Sequence, residues 1–139
     1  MWVTPGFYIL GLASRQPGPL GACSWQLPVD GIRGLQDVVV VVSAMGHTTD
    51  ELTAKARAIN SNPPQREMDM LLATGEQVSI ALLSMALHAL GVPAVSMTGS
   101  QVGIVTESAH GRARILDVRT DRLRSRLAEG QVVVVAGFQ

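Results

Sequence analysis

The fold is decided by residues 37–52, which read DVVVVVSAMGHTTDEL. The five consecutive valines at 38–42 form an uninterrupted β-branched run, which is typical of a strand buried on both faces of a parallel sheet. The small residues that follow predict a tight turn at the carboxyl end of this strand. Thr48 and Glu51 then have the spacing of a helix capping box, so we expect a helix from this point to Ile59.

The rest of the chain continues the alternation of strands and helices. Apolar residues recur at helical spacing over 66–90, interrupted by Thr74-Gly75-Glu76. An internal glycine costs about 1 kcal/mol relative to alanine, so this interruption predicts either a kink or a break between two helices. Further strands are predicted at 94–98, 104–106, 113–118 and 131–136, with a turn at 99–103 and a short Thr120-capped helix at 120–128.

This order predicts an α/β fold with a mostly parallel sheet sandwiched by helices. On the last helix, Leu123 and Leu127 are expected to face the sheet. The three arginines of the same helix are expected to form a solvated outer face; they are Arg122, Arg124 and Arg126.

Composition and charge bound the function classes. The chain has 139 residues, of which 47% are hydrophobic and 16% charged, so it is not an intrinsically disordered chain. Eleven basic and eleven acidic side chains cancel. Nucleic-acid binding by phosphate neutralisation is therefore not expected. The single cysteine, Cys23, excludes an intramolecular disulfide and fits a cytoplasmic setting. No uninterrupted apolar run reaches the roughly 18 residues of a membrane helix.

The first 36 residues differ in composition from the rest. Ten of them are glycine or proline, and four of the chain's five aromatic residues lie among the first 25. Glycine and proline recur too often there for a long helix. We therefore divide the chain into a Gly/Pro-rich leader over 1–36, expected to be mostly loop, and a folded domain over 37–139.

Ligands of open α/β sheets bind at the carboxyl ends of the strands, which predicts sites at 43–49, 98–101 and 137–139. The turn at 43–49 presents backbone N–H groups and two threonine hydroxyls, so it can bind an anion or simply cap the helix. Glu76 is either a first-turn carboxylate of a new helix or a ligand for an ammonium group. The three histidines show no metal-ligand spacing, and the residues predict neither a zinc site nor nucleophilic catalysis.

Four segments carry a resemblance to a known family. They are VVVVVSAMGHTTDEL (38–52), REMDMLLATGEQVSIALLSMAL (66–87), VPAVSMTGSQVGIVTESAHGRARI (92–115) and EGQVVVVAGFQ (129–139). Together they resemble the catalytic domain of aspartate kinases, which have the amino-acid kinase (carbamate kinase-like) fold. The likeness covers about three-quarters of the chain.

The resemblance implies transfer of the ATP γ-phosphoryl group to the side-chain carboxylate of L-aspartate, usually with Mg²⁺. This is the first step towards lysine, threonine and methionine. By position, Thr49 and Glu76 would bind the aspartate substrate, Glu76 through its amino group. Ser43 and Gly46 would lie near the nucleotide phosphates. The resemblance also implies a cytoplasmic enzyme that is a homo-oligomer in its full-length form, without a nucleic-acid or membrane partner.

The chain departs from the family pattern at both ends. The family opens on a lysine-phenylalanine-glycine-glycine strand whose lysine contacts the phosphates. The only lysine here, Lys55, follows the first matching segment. The family's nucleotide-binding segments would lie beyond Gln139. We therefore expect the amino-acid-binding half of an incomplete kinase domain, weakly active or inactive alone and without an assignable catalytic residue. The alternative is a non-catalytic module that binds aspartate or associates with a full-length subunit.

Overall fold

The structure is a computed structural model and describes residues 37–108 and 113–137. Its elements in chain order are β1 (Val39–Val42), α1 (Thr48–Ile59), α2 (Gln65–Ala89), β2 (Ala94–Met97), α3 (Gly99–Val102), β3 (Ile104–Thr106), β4 (Ile115–Val118), α4 (Asp121–Ala128) and β5 (Val132–Ala136). The predicted leader at 1–36 lies outside the described residues.

The main sheet is parallel and has the strand order β1-β5-β2. Val39 pairs with Val133 on one side of β5, and Ala94 pairs with Val132 on the other. All five residues of the central strand are buried, as the uninterrupted apolar sequence predicts. Because the three strands are parallel, their carboxyl ends meet at one edge of the sheet. The predicted α/β class and both valine-rich strands are confirmed.

Helices cover both faces of this sheet. On one face, Ile80, Leu83 and Leu87 of α2 pack against alternate residues of the strands, including Val40 and Val134. On the other face, Val102 of α3 and Leu123 of α4 pack against the residues in between. The alternation follows from the two-residue period of a strand. Leu123 faces the sheet as predicted, and Leu127 packs against the same cluster.

The long helix is continuous where the sequence predicted a kink or a break. Helix α2 runs without interruption from Gln65 to Ala89, so of the two alternatives the break into two helices is wrong. A Cβ atom on Gly75 would lie 3.1 Å from Thr48 Cγ2 and 3.2 Å from Ala44 Cβ. Gly75 therefore allows α1 and the preceding turn to approach α2 closely, and the gain in packing explains a glycine inside a helix.

The predicted capping box at Thr48 and Glu51 is also wrong. Helix α1 begins at Thr48 itself, its N-cap is His47, and no side chain caps it. The Thr48 hydroxyl instead donates a hydrogen bond to the Met45 carbonyl oxygen at 2.7 Å. The sequence spacing was right for a capping box, but the helix begins one residue earlier than that box requires, so Thr48 is its first residue and not its N-cap.

The predicted turn at 99–103 contains a short helix, α3, which the sequence analysis missed. Its N-cap, Thr98, forms a complete capping box with Gln101. The strands predicted at 104–106 and 113–118 form an antiparallel hairpin, β3–β4. Thr120 precedes α4 as predicted, but its side chain makes no capping hydrogen bond there. It accepts one from Arg124 Nε instead.

Helix α2 meets the length and hydropathy criteria for a membrane-spanning helix, which was not predicted from the sequence. Within the described ranges it is the one helix long and apolar enough to cross a membrane, by length and composition alone. The core helix of a soluble protein passes the same test. Leu83 and Leu87 are fully buried against the sheet, and 39% of the apolar window of this helix is buried.

Candidate functional site

The candidate site lies at the carboxyl end of β1, where a serine meets a buried carboxylate. Ser43 follows the last residue of β1, and its hydroxyl donates a hydrogen bond to Glu76 Oε1 at 3.1 Å. Glu76 lies on α2 and is only 5% exposed, whereas Ser43 is exposed. Buried carboxylates need hydrogen bonds or a positive partner, because desolvating a charge is costly. The two residues are 33 positions apart in sequence, and packing of α2 on the sheet brings them together.

Glycines allow the backbone to approach this carboxylate from two sides. On one side Gly75, the neighbour of Glu76, contacts Thr48 at the start of α1. On the other side Gly137 follows β5, and a Cβ atom placed on it would lie 3.7 Å from Glu76 Oε2. Glu76 therefore lies between the start of α1 and the carboxyl ends of β1 and β5.

The turn between β1 and α1 carries the other two predicted site residues. Gly46 is exposed and has φ of +54°, a left-handed conformation that favours glycine. Thr49 is the second residue of α1 and is exposed. No side chain caps α1, so the N–H groups of its first turn have no side-chain cap at the positive end of the helix dipole.

The arrangement places the predicted residues in two groups. Ser43 and Glu76 are in direct contact, and Gly46 and Thr49 lie on the adjoining turn and helix start. The sequence analysis did not name Gly75 as part of this site, and it included Gly137 only in the separate strand-end place at 137–139. A glycine next to the candidate carboxylate, inside an otherwise helical pattern, was the available signal for Gly75.

At the end of β2, the second predicted binding place, groups of the turn form hydrogen bonds with each other. The Thr98 hydroxyl accepts a hydrogen bond from the Gln101 backbone N–H, and Gln101 Oε1 accepts one from the Thr98 N–H at 2.9 Å. The third predicted place, 137–139, is described only at Gly137. Among the residues that the structure describes, no cluster of three His, Cys, Asp or Glu side chains could hold a metal ion.

Comparison with known proteins identifies the family. The sequence model of the amino acid kinase family matches residues 26–139. This chain belongs to the amino acid kinase family. Its fold and the position of its candidate site at the strand ends agree with that membership.

The relatives of this family member are aspartokinases. The chain is 60% identical over 111 residues to the aspartokinase of Geobacillus stearothermophilus, which covers 80% of the chain and 27% of the relative. It is 63% identical over 102 residues to aspartokinase 2 of Bacillus subtilis, which covers 73% of the chain and 25% of the relative. The chain thus spans about a quarter of the length of these curated relatives.

Solved structures give the same result. The aspartate kinase from Synechocystis matches with a TM-score of 0.66 and 56% identity, over 83% of this chain and 18% of that one. Escherichia coli aspartokinase III, in complex with aspartate and ADP, matches with a TM-score of 0.73 over 96% of this chain and 40% of that one. At 18% identity, the second match shows the shared fold.

Proposed function

We propose that this chain is the amino-acid-binding part of an aspartate kinase, which transfers the γ-phosphoryl group of ATP to the side-chain carboxylate of L-aspartate. The observation that carries the proposal is the contact between Ser43 and the buried Glu76 at the carboxyl end of β1. The position agrees with the rule for ligand sites in open α/β sheets. The identity of 56–63% to aspartokinases and an aspartate kinase supports the choice of substrate.

In this proposal Glu76 binds the ammonium group of aspartate. A buried carboxylate favours a cationic ligand, since the ligand's charge compensates for its desolvation. The Ser43 hydroxyl holds Glu76 Oε1 in place and leaves the carboxylate oriented towards the strand ends. Thr49 donates a hydrogen bond to the aspartate substrate from the first turn of α1. The dipole of that helix favours the substrate's negative charge.

The phosphoryl group arrives on the same side of the sheet. A substrate carboxylate oxygen forms the new bond to the γ-phosphorus, and the bond to the bridging oxygen breaks, so that ADP leaves. Ser43 and Gly46 are the proposed phosphate-proximal residues, with the turn at Gly46 bringing backbone close to the ligand. Such reactions depend mainly on positioning and on neutralising charge around the transferred group.

ATP is the proposed phosphoryl donor and Mg²⁺ the proposed cofactor of the whole enzyme. Among the described residues, no group of three or more His, Cys, Asp or Glu side chains could hold the ion without the substrate. Mg²⁺ is commonly held by substrate phosphates with only one or two protein carboxylates. We therefore assign no residue of this chain to the ion and no step to it.

We extend the proposal to the parent enzyme as a cytoplasmic homo-oligomer at the start of lysine, threonine and methionine synthesis. We expect little or no turnover from the 139-residue chain alone, because it contains no counterpart of the family's phosphate-binding lysine. Coupled measurement of ADP release with aspartate and ATP checks this, and robust turnover would contradict it. The second candidate, a non-catalytic module that binds aspartate, predicts binding without turnover.

The direct test is calorimetric titration of the chain with aspartate. Glu76→Gln keeps the shape of the side chain and removes its charge. Hydrogen bonds to charged groups contribute about 1.5–3 kcal/mol, so the affinity for aspartate should fall at least about tenfold. Glu67→Gln is the matched control, since Glu67 lies on the same helix with an exposed carboxylate paired to Arg66. Unchanged aspartate affinity in Glu76→Gln, or an equal loss in Glu67→Gln, would disprove the assignment.

A further inference from the structure

A second candidate site lies at the outer edge of β2, away from the β1 turn. The Val132 N–H donates to the Pro93 carbonyl oxygen at 2.9 Å, so the backbone carbonyl of Pro93 points towards β5. Along a strand of a parallel sheet, the backbone N–H and C=O groups of successive residues point alternately to one neighbouring strand and to the other. Those of Val95 and Met97 therefore point inwards. The N–H and C=O of Ser96 point outwards, to the side where β2 has no partner strand within the described part of the chain.

Side chains of the protein close this edge on both sides of Ser96. His88 Nε2 donates a hydrogen bond to the Ala94 carbonyl oxygen at 2.8 Å. Gln101 Oε1 accepts the Thr98 N–H at 2.9 Å. The edge is thus not a run of free groups that another strand could extend. Within β2, Ser96 is the residue whose N–H and C=O both point outwards, and no side-chain or backbone group of the described residues closes them.

A cavity of about 400 Å³ lies against this pair. Ordinary small-molecule sites have volumes of about 300–1,000 Å³. The lining residues come from β2, α3 and α4: Val95, Ser96, Met97, Gln101, Arg122, Ser125, Arg126 and Glu129. The side chains of consecutive strand residues alternate between the two faces of the sheet. A cavity that is lined by three consecutive residues therefore runs along the edge of the strand. Ser96 therefore lines it through its backbone.

The charged side chains that line the cavity indicate the charge of its ligand. Arg126 Nη1 is paired with Glu129 Oε2 at 2.9 Å, so these two charges compensate each other. Arg122 has no ion pair within 37–108 and 113–137. The lining thus carries one uncompensated positive charge, which matches a single carboxylate better than a phosphate dianion or a zwitterion.

We propose that this cavity binds a small monocarboxylate with a neutral hydrogen-bond donor next to its carboxylate, as in a 2-hydroxy acid. The carboxylate accepts hydrogen bonds from Arg122 and from the Ser96 N–H. The neighbouring hydroxyl donates to the Ser96 carbonyl oxygen. The volume leaves room for a substituent beyond this head group. A small molecule is the occupant, because His88 and Gln101 leave no continuous edge for an extended chain.

The test is a titration of the ¹⁵N-labelled 139-residue chain with lactate, followed by NMR. The Ser96 amide signal should shift saturably at millimolar lactate. Propionate lacks the hydroxyl and lactamide lacks the charge, so each should bind at least about fivefold more weakly, which corresponds to one lost hydrogen bond. No saturable shift at Ser96, or equal binding of lactamide and lactate, would overturn the proposal.

Variants of α4 test the role of Arg122. Arg122→Gln should weaken lactate binding about tenfold or more, since it removes a charge-assisted hydrogen bond. Arg124→Gln is the matched control, because Arg124 lies on the same helix, bonds to Thr120 and does not line the cavity. Amide signals of β1 and β5 check the fold. Should Arg122→Gln not fold, Arg122→Lys keeps the charge and should give a smaller loss. Equal losses in the Arg122 and Arg124 variants would overturn the assignment.

Discussion

Two turns at the same end of the sheet lead from a strand into a helix, and they treat the helix start differently. After β2, Thr98 and Gln101 satisfy each other's backbone groups in a complete capping box. After β1, the N-cap residue His47 makes no side-chain hydrogen bond, and the Thr48 hydroxyl bonds backwards to Met45. The start of α3 is capped by the protein's own side chains, whereas the start of α1 has no side-chain cap.

The difference distinguishes a turn closed by its own side chains from the turn that we propose binds a ligand. Uncapped N–H groups at a helix start are normally satisfied by side chains, water or ligands. The uncapped start of α1 lies beside Gly75, next to the buried Glu76, and the capped start of α3 has no such neighbour among the described residues. An open helix start beside a buried carboxylate can bind both charged ends of an amino acid.

The largest expected effect comes from breaking the contact that places α1 beside Glu76. Gly75→Leu puts a side chain where a Cβ alone would lie 3.1 Å from Thr48 Cγ2. Overpacking of this kind costs about 1–3 kcal/mol, so the midpoint of urea unfolding should fall and aspartate binding should be lost. Gln77→Leu, at an exposed position of the same helix, is the control and should keep both properties. Normal aspartate binding in Gly75→Leu would contradict the close approach.

A smaller effect is expected from removing the side-chain cap of α3. Thr98→Val keeps the side-chain shape and removes the hydroxyl that caps α3. Loss of an N-cap typically costs about 1 kcal/mol of unfolding free energy, measurable by urea denaturation. Aspartate affinity should not change, because the capped turn takes no part in the proposed substrate site. A loss of aspartate affinity without a loss of stability would place β2's end in that site.

The smallest effect is expected from a substitution that offers a side-chain cap to the start of α1. His47→Ser supplies a good capping residue, but the backbone at position 47 has φ of −97° and ψ of 13°, outside the β-region that a capping side chain requires. Stability should therefore change by no more than about 0.5 kcal/mol. A gain of about 1 kcal/mol together with weaker aspartate binding would instead mean that the serine competes with the ligand for the helix start.

Local sequence patterns predicted most of the secondary structure. The valine runs specified both buried strands, since β-branched residues bounded by turn signals suit a parallel sheet. The predicted end of α1 at Ile59 is confirmed. The predictions were wrong at Thr48–Glu51, at 99–103 and at Gly75. In each case a contact or a one-residue shift in the helix start, and not intrinsic propensity, decided the outcome.

The candidate site was only partly predictable from the residues. The strand-end rule pointed to the turn at 43–49, which contains Ser43, Gly46 and Thr49. Glu76 stood out among the residues as a possible ligand for an ammonium group, and the resemblance to aspartate kinases supplied the expected role of each residue. The hydrogen bond between Ser43 and Glu76 joins residues 33 positions apart. No periodicity in the sequence specifies that contact, since it depends on how α2 packs across the sheet.

The sequence by itself determined the α/β class, the buried strands and the family, because these follow from short-range patterns and from shared motifs. Only the tertiary structure decided that Gly75 is a packing residue, that Ser43 meets Glu76, and that Ser96 faces a cavity with Arg122. The physical reason is that these features depend on distances between elements remote in the chain. Such distances are set by side-chain volume and strand register, which a single sequence does not display.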